Sequence, residues 1–110
     1  MNETYKKYAL YFKALSDPNR LMIVDMLSCG ELCACVILKK FHITQPTLSY
    51  HMKNLSDNKL VTGRKEGKWM YYSLNNEITQ DLRGFIDKVT KAKENCICHK
   101  ISCEEGCCNE

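Results

Sequence analysis

Apolar residues recur at helical spacing from the first turn of the chain. Tyr5, Tyr8, Phe12 and Leu15 fall on one face with Lys6, Lys7 and Lys13 elsewhere, so residues 4–15 are expected to form an amphipathic helix. Asp17 then precedes Pro18, a capping side chain followed by proline at the first helical position. Leu21, Val24 and Leu27 carry the period on to Ser28, and Gly30 stops it. Residues 31–41 read as a third, short helix, with Glu31 at its start and Lys39 and Lys40 at its end, where the helix dipole favours each. After a turn at His42 and Ile43, Thr44 is positioned as a cap and Pro46 lies in the first turn of a helix with Leu48, Met52 and Leu55 on one face. Two short helices joined by a tight turn suggest a helix-turn-helix.

The period then changes. Residues 60–65 and 68–74 are rich in β-branched or aromatic side chains and flank Glu66-Gly67, a hairpin turn signal. A hairpin placed directly after a groove-reading helix is a wing, and Arg64, Lys65 and Lys68 put three positive charges at its tip. From a cap at Asn75 or Asn76, Ile78, Leu82, Phe85, Ile86 and Val89 follow helical spacing to about residue 93. The expected fold is therefore mainly α with a β-hairpin wing, about five helices and two strands. Stripes on the first and last helices suit a homodimer built through the terminal helices, with burial inside one protomer as the competing and partly compatible account. Residues 1–93 make one domain in this reading, and residues 94–110, with five cysteines and few apolar residues, a flexible tail.

Composition narrows the class. A chain of 110 residues that is 45% apolar can bury one modest core. No secretory signal opens it, and no apolar run is long enough to cross a bilayer, so a cytoplasmic protein without membrane contact is expected. The net charge of +3 says little about nucleic acid, so the placement of charge must decide. Eight cysteines without a signal point to reduced thiols, hence to soft-metal or metalloid chemistry or to redox sensing. No nucleophile-base pair, phosphate loop or carboxylate pair suggests an enzyme. On the helix after Thr44, at about 100° per residue, Tyr50, Lys53 and Pro46 fall opposite the apolar face, and Thr47, Ser49 and Asn54 on its flanks. His51 lies beside the apolar stripe and reads as a half-buried structural histidine.

Taken together these motifs resemble the ArsR/SmtB family of winged-helix repressors, and most of all its arsenite- and antimonite-responsive branch. The resemblance runs from about residue 9 to 89, through Leu15-Ser16-Asp17-Pro18-Asn19-Arg20-Leu21, Glu31-Leu32-Cys33-Ala34-Cys35, Thr44-Gln45-Pro46-Thr47-Leu48-Ser49-Tyr50-His51-Met52, Arg64-Lys65-Glu66-Gly67-Lys68 and Tyr71-Tyr72-Ser73-Leu74. It implies a repressor whose dimer binds double-stranded operator DNA and leaves it when As(III) or Sb(III) is taken up by cysteine thiolates. It also implies Gln45, Ser49 and Tyr50 as base readers. Thr47 is added by its exposed angle, and Lys53, Arg64, Lys65 and Lys68 suit phosphate. One familiar form of the arsenic motif has a third cysteine where this chain has Leu38. Zinc-sensing members use histidine on the last helix, and residues 78–93 contain none.

Thiolates are the ligands that a soft trivalent ion prefers. Cys33, read as lying in the first turn of its helix, gains thiolate character from the dipole. Residues two apart on an intact helix point about 200° away from each other, so Cys33 and Cys35 are expected to share an ion only if that helix unwinds. Cys29 is the favoured third ligand, with Cys96 or Cys98 as rivals. Oxidation of the thiols, a cadmium or lead inducer, and soft-metal buffering by the tail cysteines are the competing functions.

Overall fold

Side-chain caps decide where three of the helices begin. In the computed structural model, which describes residues 3–93, the Asp17 carboxylate accepts the backbone N–H groups of Asn19 and Arg20. The Thr44 hydroxyl accepts that of Thr47, and the Asn75 side-chain oxygen that of Ile78. Each cap satisfies donors that the first helical turn leaves unpaired. The elements in order are α1 (Glu3–Leu15), α2 (Pro18–Leu27), β1 (Leu32–Cys33), α3 (Ala34–Lys40), α4 (Gln45–Asp57), β2 (Val61–Glu66), β3 (Trp69–Leu74) and α5 (Asn76–Thr90). α4 closes with Lys59 at φ +62° and the Leu60 N–H on the Leu55 carbonyl, the six-to-one bond of a Schellman ending.

The expected class holds, five helices and a hairpin wing, with one addition. β1 pairs antiparallel with β3, so the sheet has three strands in the order β1-β3-β2. This overturns the reading of residues 31–41 as one helix: Glu31 lies outside it, and Cys33 is its N-cap in an extended conformation. The paired strand β3 holds the chain extended through Leu32 and Cys33, so the helix begins later. The hairpin itself turns at Gly67, whose φ of +62° suits a residue without Cβ.

Ile23, Ile37, Met52, Leu55 and Leu60 form the most deeply buried part of the core, which joins α2, α3, α4 and the foot of β2. Each such side chain contributes about 1.5–3 kcal/mol relative to exposure. Two stripes are turned part-way from the expected ones, keeping Tyr8 and Leu27 buried and Leu15 and Val24 half-buried. On α2 the buried face is Arg20, Ile23 and Leu27, leaving Leu21 exposed. On α1 it is Tyr8, Tyr11 and Ala14, leaving Tyr5 and Phe12 partly exposed. Tyr8 stacks on Phe85 of α5 at 3.9 Å between ring centroids and donates a hydrogen bond to Asp81. The two terminal helices therefore pack on each other within one chain, as the competing account required, and still present Tyr5, Phe12, Ile86 and Val89 to solvent.

Candidate thiol site beside α4

β1 delivers Cys33 to the start of α3, and the first turn of α3 delivers Cys35 beside it. The Cys35 thiol donates to the Cys33 sulfur across 2.8 Å, and the Cys35 backbone N–H donates to the same sulfur at 3.4 Å. Both cysteines are free thiols. The expectation that the two sulfurs point apart is thus corrected: it assumed that both residues were helical, whereas Cys33 is extended and turns its side chain back over the helix start. No unwinding is needed for them to share an ion.

The two thiols are chemically unequal. The Cys35 S–H and then the Cys35 backbone N–H lower the pKa of Cys33; burial opposes them, and the Val36 N–H adds a smaller lowering. Donating to Cys33 raises the pKa of Cys35, with burial adding to the rise. The pair therefore loses its first proton readily and holds the second.

A cavity of about 400 Å³ opens beside the sulfurs. Cys33, Cys35 and Leu38 form one wall, Gln45, Leu48, Ser49 and Met52 of α4 the second, and Lys68, Trp69, Met70 and Tyr72 of the wing the third. Leu38, the position of the missing third cysteine, packs partly buried against the core. Cys29 is exposed beyond the end of α2, and among the described residues no three His, Cys, Asp or Glu side chains converge as a metal site would need. Cys96 and Cys98 lie outside the described residues.

Of the expected DNA contacts, Gln45, Ser49 and Tyr50 are exposed on α4. The Thr47 hydroxyl is 2.9 Å from that of Thr44, within the cap. Lys53 pairs with Asp57 at 3.0 Å, Lys65 is exposed, and Lys68 lies over the Trp69 ring. Arg64 departs from expectation. Its guanidinium donates twice to Glu31, at 2.8 and 3.1 Å, approaches Glu66 at 3.3 Å and covers the Tyr71 ring. The Glu31 partner lies 33 positions away, and no local pattern reveals it.

His51 is buried, more deeply than the half-buried structural histidine expected. Its Nδ1 accepts from Arg20, 3.1 Å away, and the Arg20 Nε also donates to the Ala14 carbonyl at 2.6 Å. Arg20 thereby fixes α4 against α1 and α2. Its burial was missed because Leu21 supplies an equally good helical period. An arginine at the spacing of Ile23 and Leu27 was the available signal.

A profile described as bacterial regulatory protein, arsR family, matches residues 17–62. The chain is 46% identical over 98 residues to an arsenical resistance operon repressor of Staphylococcus aureus, covering 89% of this chain and 94% of that one. It belongs to the arsR family. An arsenical resistance operon repressor of Bacillus subtilis (strain 168) is 36% identical over 108 residues, covering 97% of this chain and 95% of the relative. The fold agrees: HlyU from Vibrio cholerae N16961 superposes with a TM-score of 0.68 at 26% identity, covering 82% of this chain and 98% of that one. This arsR-family chain is accordingly a winged-helix transcriptional regulator and not an enzyme. Among its described residues no helix is long and apolar enough to cross a membrane.

Proposed function

We propose that this protein is a metalloid-responsive repressor whose dimer holds operator DNA and releases it when As(III) or Sb(III) binds Cys33 and Cys35. One observation carries the reading: two sulfurs in contact, on the wall of a cavity that the groove-reading helix closes. The chemistry is ligand exchange. Arsenous acid, As(OH)3, gives up two hydroxyls as water, taking one proton from each thiol, and two As–S bonds form. Cys33 attacks first, its proton leaving with the first hydroxyl as water, and Cys35 follows as its own proton leaves with the second. A third thiol, from Cys29, Cys96 or Cys98, gives its proton to the last hydroxyl, which leaves as a third water as the third As–S bond forms.

The bound ion and its remaining ligand sit between α3 and α4, against Gln45, Leu48, Ser49 and Met52. Drawing Cys33 and Cys35 onto one ion re-sets the start of α3, the cavity wall that faces α4, and that shift moves the reading edge of Gln45, Ser49 and Tyr50, while Lys65 and Lys68 of the wing hold phosphates. Two copies joined through the partly exposed Tyr5, Phe12, Ile86 and Val89 would span half-sites about 34 Å apart, and loss of register in one weakens both. Moving the population from almost all bound to almost all free takes about 5.5 kcal/mol of differential affinity, shared between two protomers.

A second reading is oxidation of the same pair, favoured by the contact and by the thiolate character of Cys33. Operator release measured by fluorescence anisotropy under strong reductant separates the two. Release by arsenite or antimonite, abolished in Cys33→Ala and Cys35→Ala, is the expected result. Release by peroxide alone would establish oxidation, and release only by cadmium or lead would replace the metalloid with a divalent soft metal.

A further inference from the structure

The sheet register lays Cys33 of β1, Tyr71 of β3 and Arg64 of β2 in one row across three strands. Cross-strand partners share a face, and residues two apart on an extended chain return to it. Glu31, two residues before Cys33, is therefore on the side toward which Arg64 reaches. Arg64 crosses above the Tyr71 ring, 4.7 Å away, and grips Glu31 with both oxygens. β1 is only two residues long and has two register pairs with β3. The Glu31–Arg64 pair is thus a third tie between the thiol-bearing segment and the wing, and it skips the middle strand.

We infer that the Glu31–Arg64 ion pair is a positioning strap that couples the thiol pair to the wing, and that Arg64 remains on Glu31 in the DNA complex and does not contact phosphate. A guest drawn onto Cys33 moves β1. The strap carries that shift across β3 into β2, so the wing is displaced along with α4. A planar guanidinium held at two points and stacked on a ring resists rotation in a way that a single-point lysine contact would not. The strap rests on the thiol pair being the inducer site, but its mechanical part does not.

Five proteins test it: the parent, Glu31→Gln, Arg64→Ala, the charge swap E31R/R64E and, for comparison, Lys68→Ala. The salt dependence of operator binding in Arg64→Ala should match the parent. Lys68→Ala, by comparison, should lower the slope of log affinity against log salt by about 0.9 for each phosphate that the lysine neutralises. A comparable drop in Arg64→Ala would overturn the proposal. Glu31→Gln should speed amide exchange in the β1–β3 pair, and unchanged exchange would overturn it as well. With arsenite, Glu31→Gln should quench Trp69 as the parent does yet lose about two- to fivefold of the arsenite effect on operator affinity, the scale of an exposed ion pair. The charge swap should restore that effect. Quenching with undiminished release would refute the strap while leaving the thiol site standing. A parent indifferent to arsenite would refute the inducer reading, and the salt and exchange measurements would still judge the strap.

Discussion

Replacing Arg20 by methionine keeps an unbranched stem of similar reach in a site that is 9% exposed and removes the guanidinium. Two acceptors then lose their donor: the Ala14 carbonyl, bonded at 2.6 Å, and His51 Nδ1, bonded at 3.1 Å. A buried acceptor left unsatisfied costs about 1–3 kcal/mol, and bonds from a charged donor lie at the upper end of that range. Relief from burying the charge offsets part of the loss. A net destabilisation of about 3 kcal/mol is expected, which lowers a urea midpoint by about 1.5 M for a slope near 2 kcal/mol per M. The assay is urea unfolding followed by circular dichroism at one fixed protein concentration, because association would shift the midpoint. Arg20→Met with His51→Leu removes both ends of one bond, so the double variant should be less destabilised than the sum of the singles. A loss below about 1 kcal/mol in Arg20→Met, or strict additivity, would refute the claim that Arg20 fixes α4 through His51.

Three other outcomes follow from the same geometry. Thr44→Ala removes the cap of α4 and should cost about 1 kcal/mol in urea unfolding; an unchanged midpoint would refute the stabilising role of the Thr44 cap. In Cys35→Ala the Cys33 sulfur loses its S–H donor, so the pH profile of its alkylation by iodoacetamide should move up toward the ordinary cysteine pKa of about 8.5. A profile identical to the parent would deny the thiol contact. The Arg64 side chain holds the Glu31 carboxyl below its ordinary pKa, so the pair stabilises the fold above the unfolded carboxylate pKa of about 4.3 and loses that contribution as pH falls through the depressed folded value. The difference in urea midpoint between the parent and Glu31→Gln should therefore be flat near neutral pH and shrink in acid; a constant difference would contradict it.

What the sequence made legible was local chemistry. The caps at Asp17, Thr44 and Asn75 each act within three residues, and the Glu66-Gly67 turn acts through its own backbone, so their side chains announce them. The α4 stripe of Leu48, Met52 and Leu55 was correctly placed, and so was His51 beside it. Pairing over distance was not legible. Glu31 before an apolar run imitates a helix start, and only the presence of β3 turns Leu32 and Cys33 into a strand. The error about the sulfurs followed from that one missing strand. On α1, Tyr5 and Phe12 gave as good a period as Tyr8 and Tyr11, because a helix with two apolar faces leaves periodicity without a unique answer.

The claim on which the rest depends is that an ion on the thiol pair and DNA on α4 compete through one shared cavity. Trp69 is the single tryptophan of the chain and lines that cavity, so its fluorescence can report arsenite binding to the protein alone and to its operator complex, under reductant. Linkage requires operator DNA to weaken arsenite binding by the factor with which arsenite weakens operator binding, about 100-fold per protomer if two protomers share the roughly 5.5 kcal/mol that the switch needs. Equal arsenite affinities in the two states would show that the thiol pair and the reading helix are uncoupled.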